Sequence, residues 1–141
     1  MTIYKSGSAK WQGDLRTGKG RVSSQSGALQ DLPYGFNTRF EDRPGTNPEE
    51  LIGAAHAACF SMALSAQLAA AGITDVTIET SSRIGLDKDE AGFTITTAHL
   101  TTHVTGSGEA AKIEQAAKAA EKGCPVSKVL NAKITMDLSI G

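Results

Sequence analysis

The stretch NPEELIGAAHAACFSMALSAQLAAAG, residues 47–72, decides the architecture of this chain. Asn47 suits an N-cap and Pro48 the first helical position. Glu49 and Glu50 put negative charge in the first turn, where the unpaired N–H groups and the helix dipole are positive. Asn47 and Glu50 also have the spacing of a capping box. The helix then runs through Ala-rich sequence to Gly72, which can take the left-handed backbone of a C′ residue. Apolar side chains occupy most of its circumference, so it is predicted to be a central helix. Its length approaches a membrane span, but the alanines together with His56, Ser61, Ser65 and Gln67 fit a buried helix of a soluble protein better.

Outward from this helix the pattern changes period. Before it, residues 2–11 alternate loosely like an edge strand. Gly13-Asp14 and Gly18-Lys19-Gly20 are turn signals, so residues 1–40 are expected to hold a hairpin or meander. Pro33, Gly35, Asn37 and Pro44-Gly45 mark an irregular connection. After the helix, Val76–Leu86 and Phe93–Val104 read as two strands joined at an Asp87–Gly92 tip. Glu109–Lys122 is an amphipathic helix with Ala111, Ile113, Ala116, Ala117 and Ala120 roughly on one side, ended by Gly123. Pro125 starts a short helix to about residue 130, and Lys133–Ile140 alternates as a last strand. There is no repeat and no linker, so residues 1–141 are expected to form one α+β domain, with antiparallel strands around one or two long helices.

Composition narrows the function. The chain has 141 residues, 40% of them apolar, enough for one packed core. The formal net charge is −1 with no basic patch, which argues against nucleic-acid binding. The N-terminal residues lack the apolar segment of an export signal, so a cytoplasmic protein is expected, with no membrane partner.

Two cysteines, Cys59 and Cys124, are too few for a disulfide framework or an all-cysteine zinc site. Without export signals such a pair is either inert core or redox chemistry. A peroxide is attacked by a thiolate, and a second thiol must then condense with the sulfenic acid before it is over-oxidised. Cys59 lies about three turns into the helix, too deep for much help from the dipole, and burial there raises a thiol pKa. Cys59 is therefore a reactive thiol only if a cation reaches it from elsewhere, and otherwise a small buried hydrophobe. Cys124, between Gly123 and Pro125, sits where free N–H groups favour a thiolate and make a good leaving sulfur. A plain helix junction is the alternative.

Gly45-Thr-Asn-Pro-Glu-Glu-Leu-Ile-Gly-Ala-Ala-His-Ala-Ala-Cys-Phe60 resembles the first cysteine motif of the osmotically inducible protein C (OsmC) family, which includes the organic hydroperoxide resistance proteins. Gly123-Cys-Pro-Val-Ser127 resembles its second. The Trp11–Gly13 region and Pro33-Tyr-Gly-Phe-Asn-Thr-Arg-Phe40 look like the OsmC branch. The likeness spans nearly the whole chain. It implies an intertwined homodimer with long central helices wrapped by antiparallel sheets, and active sites at the subunit interface. By the same resemblance, Cys59 attacks the peroxide, Cys124 closes a disulfide with it, and an arginine and Glu49 support Cys59. The arginine matches Arg39 in the OsmC branch, while the other branch draws it from nearer the N-terminus, where Arg16 and Arg21 stand. No metal, flavin or other cofactor is implied. The implied substrate is an organic hydroperoxide, with hydrogen peroxide weaker, and the implied reductant a dithiol such as a lipoylated protein.

Spacing raises a difficulty. Glu49 and Cys59 are ten residues apart, roughly 15 Å along a continuous helix and on different faces. Glu49 is thus expected either to reach the site across a dimer interface or to precede the regular helix. Taken alone, Glu49 is also an ordinary first-turn acid and Arg39 an ordinary loop charge. His56 reads as a buried structural histidine before it reads as a base. His99 and His103 share one side of a strand with Thr97 and Thr101 and read as a solvated face rather than a metal pair. Phe36, Phe40, Phe60, Met62 and Ile52 are candidate walls for an alkyl tail or, equally, plain core. Two rivals stand beside a peroxidase. One is a non-enzymatic dimeric stress or binding protein with structural cysteines. The other is a protein thiol–disulfide oxidoreductase, disfavoured by the lack of a Cys-x-x-Cys motif.

Overall fold

The computed structural model describes residues 1–141, which divide into two compact units, Met1–Leu51 and Ile52–Gly141. The boundary falls one turn into the long helix.

The first unit is a three-stranded antiparallel meander of β1 (Gly7–Gln12), β2 (Lys19–Ser24) and β3 (Leu32–Tyr34). The hairpin expected within residues 1–40 is therefore present, and its first strand starts later than the sequence pattern suggested. Asp14 closes the β1–β2 turn by accepting hydrogen bonds from the Thr17 N–H and hydroxyl, both at 2.7 Å. Trp11 and Tyr34 pack with ring centroids 5.5 Å apart across the sheet. Where the prolines and glycines predicted an irregular connection, Phe36–Phe40 forms a short helix, α1. Thr38 explains it: its hydroxyl accepts from the Gly35 N–H at 3.0 Å and so caps the turn.

Helix α2 runs from Pro48 to Ala70. Asn47 caps it as expected, its Oδ1 accepting from the Glu50 N–H at 2.8 Å, while its side-chain amide donates to the Glu50 carboxylate. The same amide donates to the Thr38 carbonyl at 3.1 Å, which ties the helix start to α1. Gly72 ends the helix with φ +82°. Because the helix begins at Pro48, Glu49 is inside it, and the idea that Glu49 precedes the regular helix is set aside.

In the second unit, β4 (Val76–Asp89) and β5 (Gly92–Gly106) form the expected hairpin with its bend between Gly85 and Leu86. Next come α3 (Ala110–Gly123), α4 (Pro125–Val129) and β6 (Lys133–Ile140). β6 pairs with β5 in parallel, the one exception to antiparallel pairing. The reason is topological, since a parallel neighbour needs a crossover and α3 with α4 provides it. The core lies between α2, α3 and this sheet. Phe60, Leu64, Leu68, Leu100, Val104 and Ile113 are fully buried in it. Burying each of the larger side chains is worth about 1.5–3 kcal/mol. Ile113, Ala116, Ala117 and Ala120 face this core as the α3 pattern predicted, while Ala111 is exposed.

The buried stripe of α2 is Gly53, His56, Phe60, Leu64 and Leu68, a single face. Ala54, Ala55, Ala58, Met62, Ser65, Ala66 and Ala69 lie exposed on the other side. Gly53 sets how closely α2 approaches β4, because a Cβ there would come 2.7 Å from the Ser82 carbonyl oxygen. That oxygen belongs to a strand backbone and cannot swing away. Gly53→Ala should therefore destabilise the fold. The helix-propensity gain of about 1 kcal/mol is outweighed by an overpacking cost of about 1–3 kcal/mol. A lowered urea midpoint at unchanged slope is the expected result.

Candidate active site

The second unit brings the two cysteines together. Cys59, halfway along α2, meets Cys124, which stands between the end of α3 and the start of α4; their thiols are hydrogen-bonded to each other, and both sulfurs are free. Cys124 is fully buried and Cys59 partly exposed, so a small reactant reaches Cys59 first. Gly123 and Pro125 place Cys124 here: the chain leaves α3 after Gly123, and Pro125 at the first position of α4 turns it at once into the next helix.

The electrostatics of the pair are asymmetric. Burial pushes the Cys59 thiol up, the bond to Cys124 adds to that, and the Val126 N–H works weakly against them. Burial also acts to raise Cys124. There it is outweighed by the Cys59 thiol, the N–H and hydroxyl of Ser127, and the Val126 N–H, so Cys124 lies below the usual thiol range. Within this unit the surroundings favour ionisation of Cys124 over that of Cys59. The sequence-level requirement stands: no cation in this unit shifts Cys59 downward.

His56 lies on the same face of α2, one turn before Cys59. It is fully buried, with Nδ1 2.7 Å from Ser82 Oγ and Nε2 2.9 Å from Ser127 Oγ. It is thus the buried histidine that the sequence predicted, but with a link to the cysteine motif that spacing alone could not reveal. Burial lowers its pKa from 6.5.

The first unit brings Arg39 and Glu49 together. Arg39 Nε donates to Glu49 Oε1 at 3.0 Å and Nη2 to Oε2 at 2.9 Å, a two-pronged pair that fixes the plane of the guanidinium. α1 carries the arginine and the first turn of α2 the glutamate. Arg39 remains 33% exposed, so a face of the guanidinium is open to a further acceptor. Arg16 and Arg21 are occupied otherwise: Arg16 stacks 5.0 Å above the Phe36 ring, and Arg21 donates to the Asp31 carbonyl at 3.1 Å. Beside Arg39 lies a cavity of about 280 Å³ lined by Trp11, Leu15, Tyr34, Phe36 and Phe40. Phe36 and Phe40 thus line a cavity rather than filling a core. Phe60 is core, and Met62 is 76% exposed on the outer face of α2. His99 and His103 face solvent and bond to Thr135, Asp137 and Ser139 of β6, and no group of three or more acidic, histidine or cysteine side chains gathers as a metal site.

The model of the OsmC-like protein family matches residues 40–139. The chain belongs to that family. It is 55% identical to Peroxiredoxin OsmC of Escherichia coli over 141 residues, 99% of each chain. To the organic hydroperoxide resistance protein OhrB of Bacillus subtilis it is 30% identical over 123 residues, 86% of this chain and 88% of that one. The crystal structure of OhrB superposes with a TM-score of 0.70 at 26% identity, covering 95% of this chain and 98% of that one. The α+β fold read from the sequence is thus the fold of OsmC-like proteins.

The state of His56 has a measurable consequence for this OsmC-like chain. Its folded pKa lies below 6.5, so the unfolded ring takes up a proton that the native ring resists. Stability must fall as pH drops through 6.5, until the native ring protonates as well. Between about pH 7.5 and about pH 5.5 the urea midpoint of the wild type should fall more than that of His56→Gln, which has no ring to protonate.

Proposed function

We propose that this chain is a thiol-dependent peroxidase that reduces organic hydroperoxides to alcohols, with Cys59 as the attacking sulfur and Cys124 as the resolving one. The observation that carries the reading is the thiol–thiol contact between two cysteines that stand 65 residues apart in sequence, with the more accessible sulfur lying on the central helix. Both relatives named above bear peroxide-defence names, which supports the same reaction class.

The steps balance as follows. The Cys59 sulfur attacks the distal peroxide oxygen, the O–O bond breaks, and the alkoxide takes a proton and leaves as alcohol. Cys59 becomes a sulfenic acid, Cys124 condenses with it to a disulfide, and water is released. A dithiol then restores both thiols. A lipoylated protein is the reductant we favour, because its paired thiols fit this exchange. The role of Arg39 follows from the need of Cys59 for a cation. A guanidinium held by Glu49 would favour the thiolate and orient the peroxide, and the aromatic cavity beside Arg39 would take the organic tail. Hydrogen peroxide, lacking a tail, gains nothing from that cavity.

This assignment calls for a homodimer. Glu49 and Cys59 belong to one helix and different faces of it, so a second copy is the simplest source of an Arg39–Glu49 pair for each Cys59. The outer face of α2, small and apolar from Ala54 to Ala69, and β1, exposed along its whole length, are surfaces that a second copy would cover. α2 has the length and hydropathy of a membrane span, but Ser61, Ser65 and Gln67 suit a protein partner better than lipid. A cytoplasmic location goes with this reading.

Stopped-flow mixing of reduced protein with cumene hydroperoxide and with hydrogen peroxide tests the function. The wild type should consume the organic peroxide faster, and Cys59→Ser neither. Cys124→Ser should consume one equivalent per site to form the sulfenic acid, fail to recycle, and in excess peroxide consume a second equivalent as sulfinic acid accumulates by mass spectrometry. Undiminished turnover by Cys59→Ser would remove Cys59 as the attacking sulfur, and a wild type that consumes neither peroxide would return the chain to a binding or stress protein with structural cysteines. Separately, Met62→Glu should shift the sedimentation coefficient from that of a dimer to that of a monomer, because a charge would be buried without a partner.

A further inference from the structure

We propose that His56 is a positioning residue for the resolving sulfur: as the neutral Nε2–H tautomer it holds the Ser127 hydroxyl so that this hydroxyl donates to Cys124. The geometry is that of one buried ring joining three elements. His56 is on α2, its Nδ1 contacts Ser82 Oγ on β4 at 2.7 Å, and its Nε2 contacts Ser127 Oγ in α4 at 2.9 Å. Ser127 follows Cys124 by three residues, and its hydroxyl is one of the groups acting on that sulfur.

Proton counting selects the tautomer. A neutral imidazole has one N–H and one lone pair. With the proton on Nδ1, Ser127 must give its only proton to the ring and has none for sulfur. With the proton on Nε2, the ring donates to Ser127 Oγ, the Ser127 hydroxyl turns to Cys124, and Ser82 donates to Nδ1. Both nitrogens of the fully buried ring are then satisfied, and the chain of donors points at the sulfur. The ionisable side chain acting on Cys124 is Cys59 from α2; Lys128 of α4 and Glu121 and Lys122 at the end of α3 are not among the groups that shift it, and β4 brings the uncharged Ser82 to the His56 ring. His56 therefore acts through Ser127 and never touches the peroxide.

The role rests on the peroxidase reading; the geometry does not. In the step served, the Cys124 thiolate attacks the sulfenic sulfur of Cys59. The S–S bond forms, the S–O bond breaks, and the departing hydroxide is protonated to water. Favouring the Cys124 thiolate speeds this condensation against a second peroxide, which would drive Cys59 to sulfinic acid.

The test uses the Cys59→Ser protein, in which Cys124 is the sole cysteine, so thiolate absorbance and alkylation rate report on it alone and need no turnover. His56→Leu and Ser127→Ala should each raise the Cys124 pKa, and below that pKa the thiolate fraction falls about tenfold per unit. His56→Gln, whose amide can donate to Ser127 as Nε2–H does, should retain the wild-type titration. Combining His56→Leu with Ser127→Ala should add nothing to Ser127→Ala alone, because both act through one hydroxyl. Long-range ¹⁵N spectra of the wild type should show the proton on Nε2. A ring protonated on Nδ1, or a Cys124 titration that Ser127→Ala leaves unmoved, overturns the proposal. Should His56→Leu fail to fold, Ser127→Ala and the tautomer still decide. A wild type that consumes neither cumene hydroperoxide nor hydrogen peroxide would instead remove the peroxidase reading and leave these titrations standing.

Discussion

A thiol in the middle of one helix and a thiol at the start of another meet only if α2 and α4 keep a fixed register. Two features hold that register from opposite directions. Gly53 lets α2 lie directly on the β4 backbone, and the His56 ring bridges β4 to α4 with hydrogen bonds at both nitrogens. Phe60, Leu64 and Leu68 then carry the same face of α2 into the apolar core. Cys59 sits at the edge of that face, partly exposed, against the buried Cys124. A contact between two sulfurs is worth little by itself, and the packing around it is what makes it persist.

The charge distribution of the pair follows from where hydrogen-bond donors are, not from which sulfur is more exposed. Val126 and Ser127 present their donors to Cys124, and Cys59 receives only the weaker share of one of them. In the reaction proposed above, the sulfur whose pKa is lowered is the resolving one, and the attacking one needs a cation from elsewhere. The Arg39–Glu49 pair, its carboxylate fixing the guanidinium plane and leaving part of its surface open, is the source proposed for that cation.

Much of this was legible in residues 47–72. The Asn47 cap, the Gly72 stop and the hairpin after it depend on local chemistry that the sequence displays directly. The two cysteine motifs told which residues to watch. What stayed hidden is non-local. Nothing in the alternation of residues 133–140 says that β6 lies parallel to β5, because period two is the same in either direction. Helix α1 depends on the Thr38 hydroxyl meeting one particular N–H in a segment rich in turn residues. The bridge from His56 to Ser127 joins residues 71 apart, beyond the reach of any periodicity, though Ser127 inside the second cysteine motif was the available clue.

The parallel pairing of β6 also orders events during synthesis. His99 on β5 and Thr135 on β6 are 36 residues apart, so the sheet edge cannot close until almost the whole chain has left the ribosome. The β4–β5 hairpin, with its adjacent strands, closes far earlier, since short loops cost less entropy. Cys59 therefore spends the interval as a nascent thiol without its mate, dependent on the reducing power of its surroundings. In the folded chain each sulfur has the other beside it for disulfide formation, a route that the nascent Cys59 lacks.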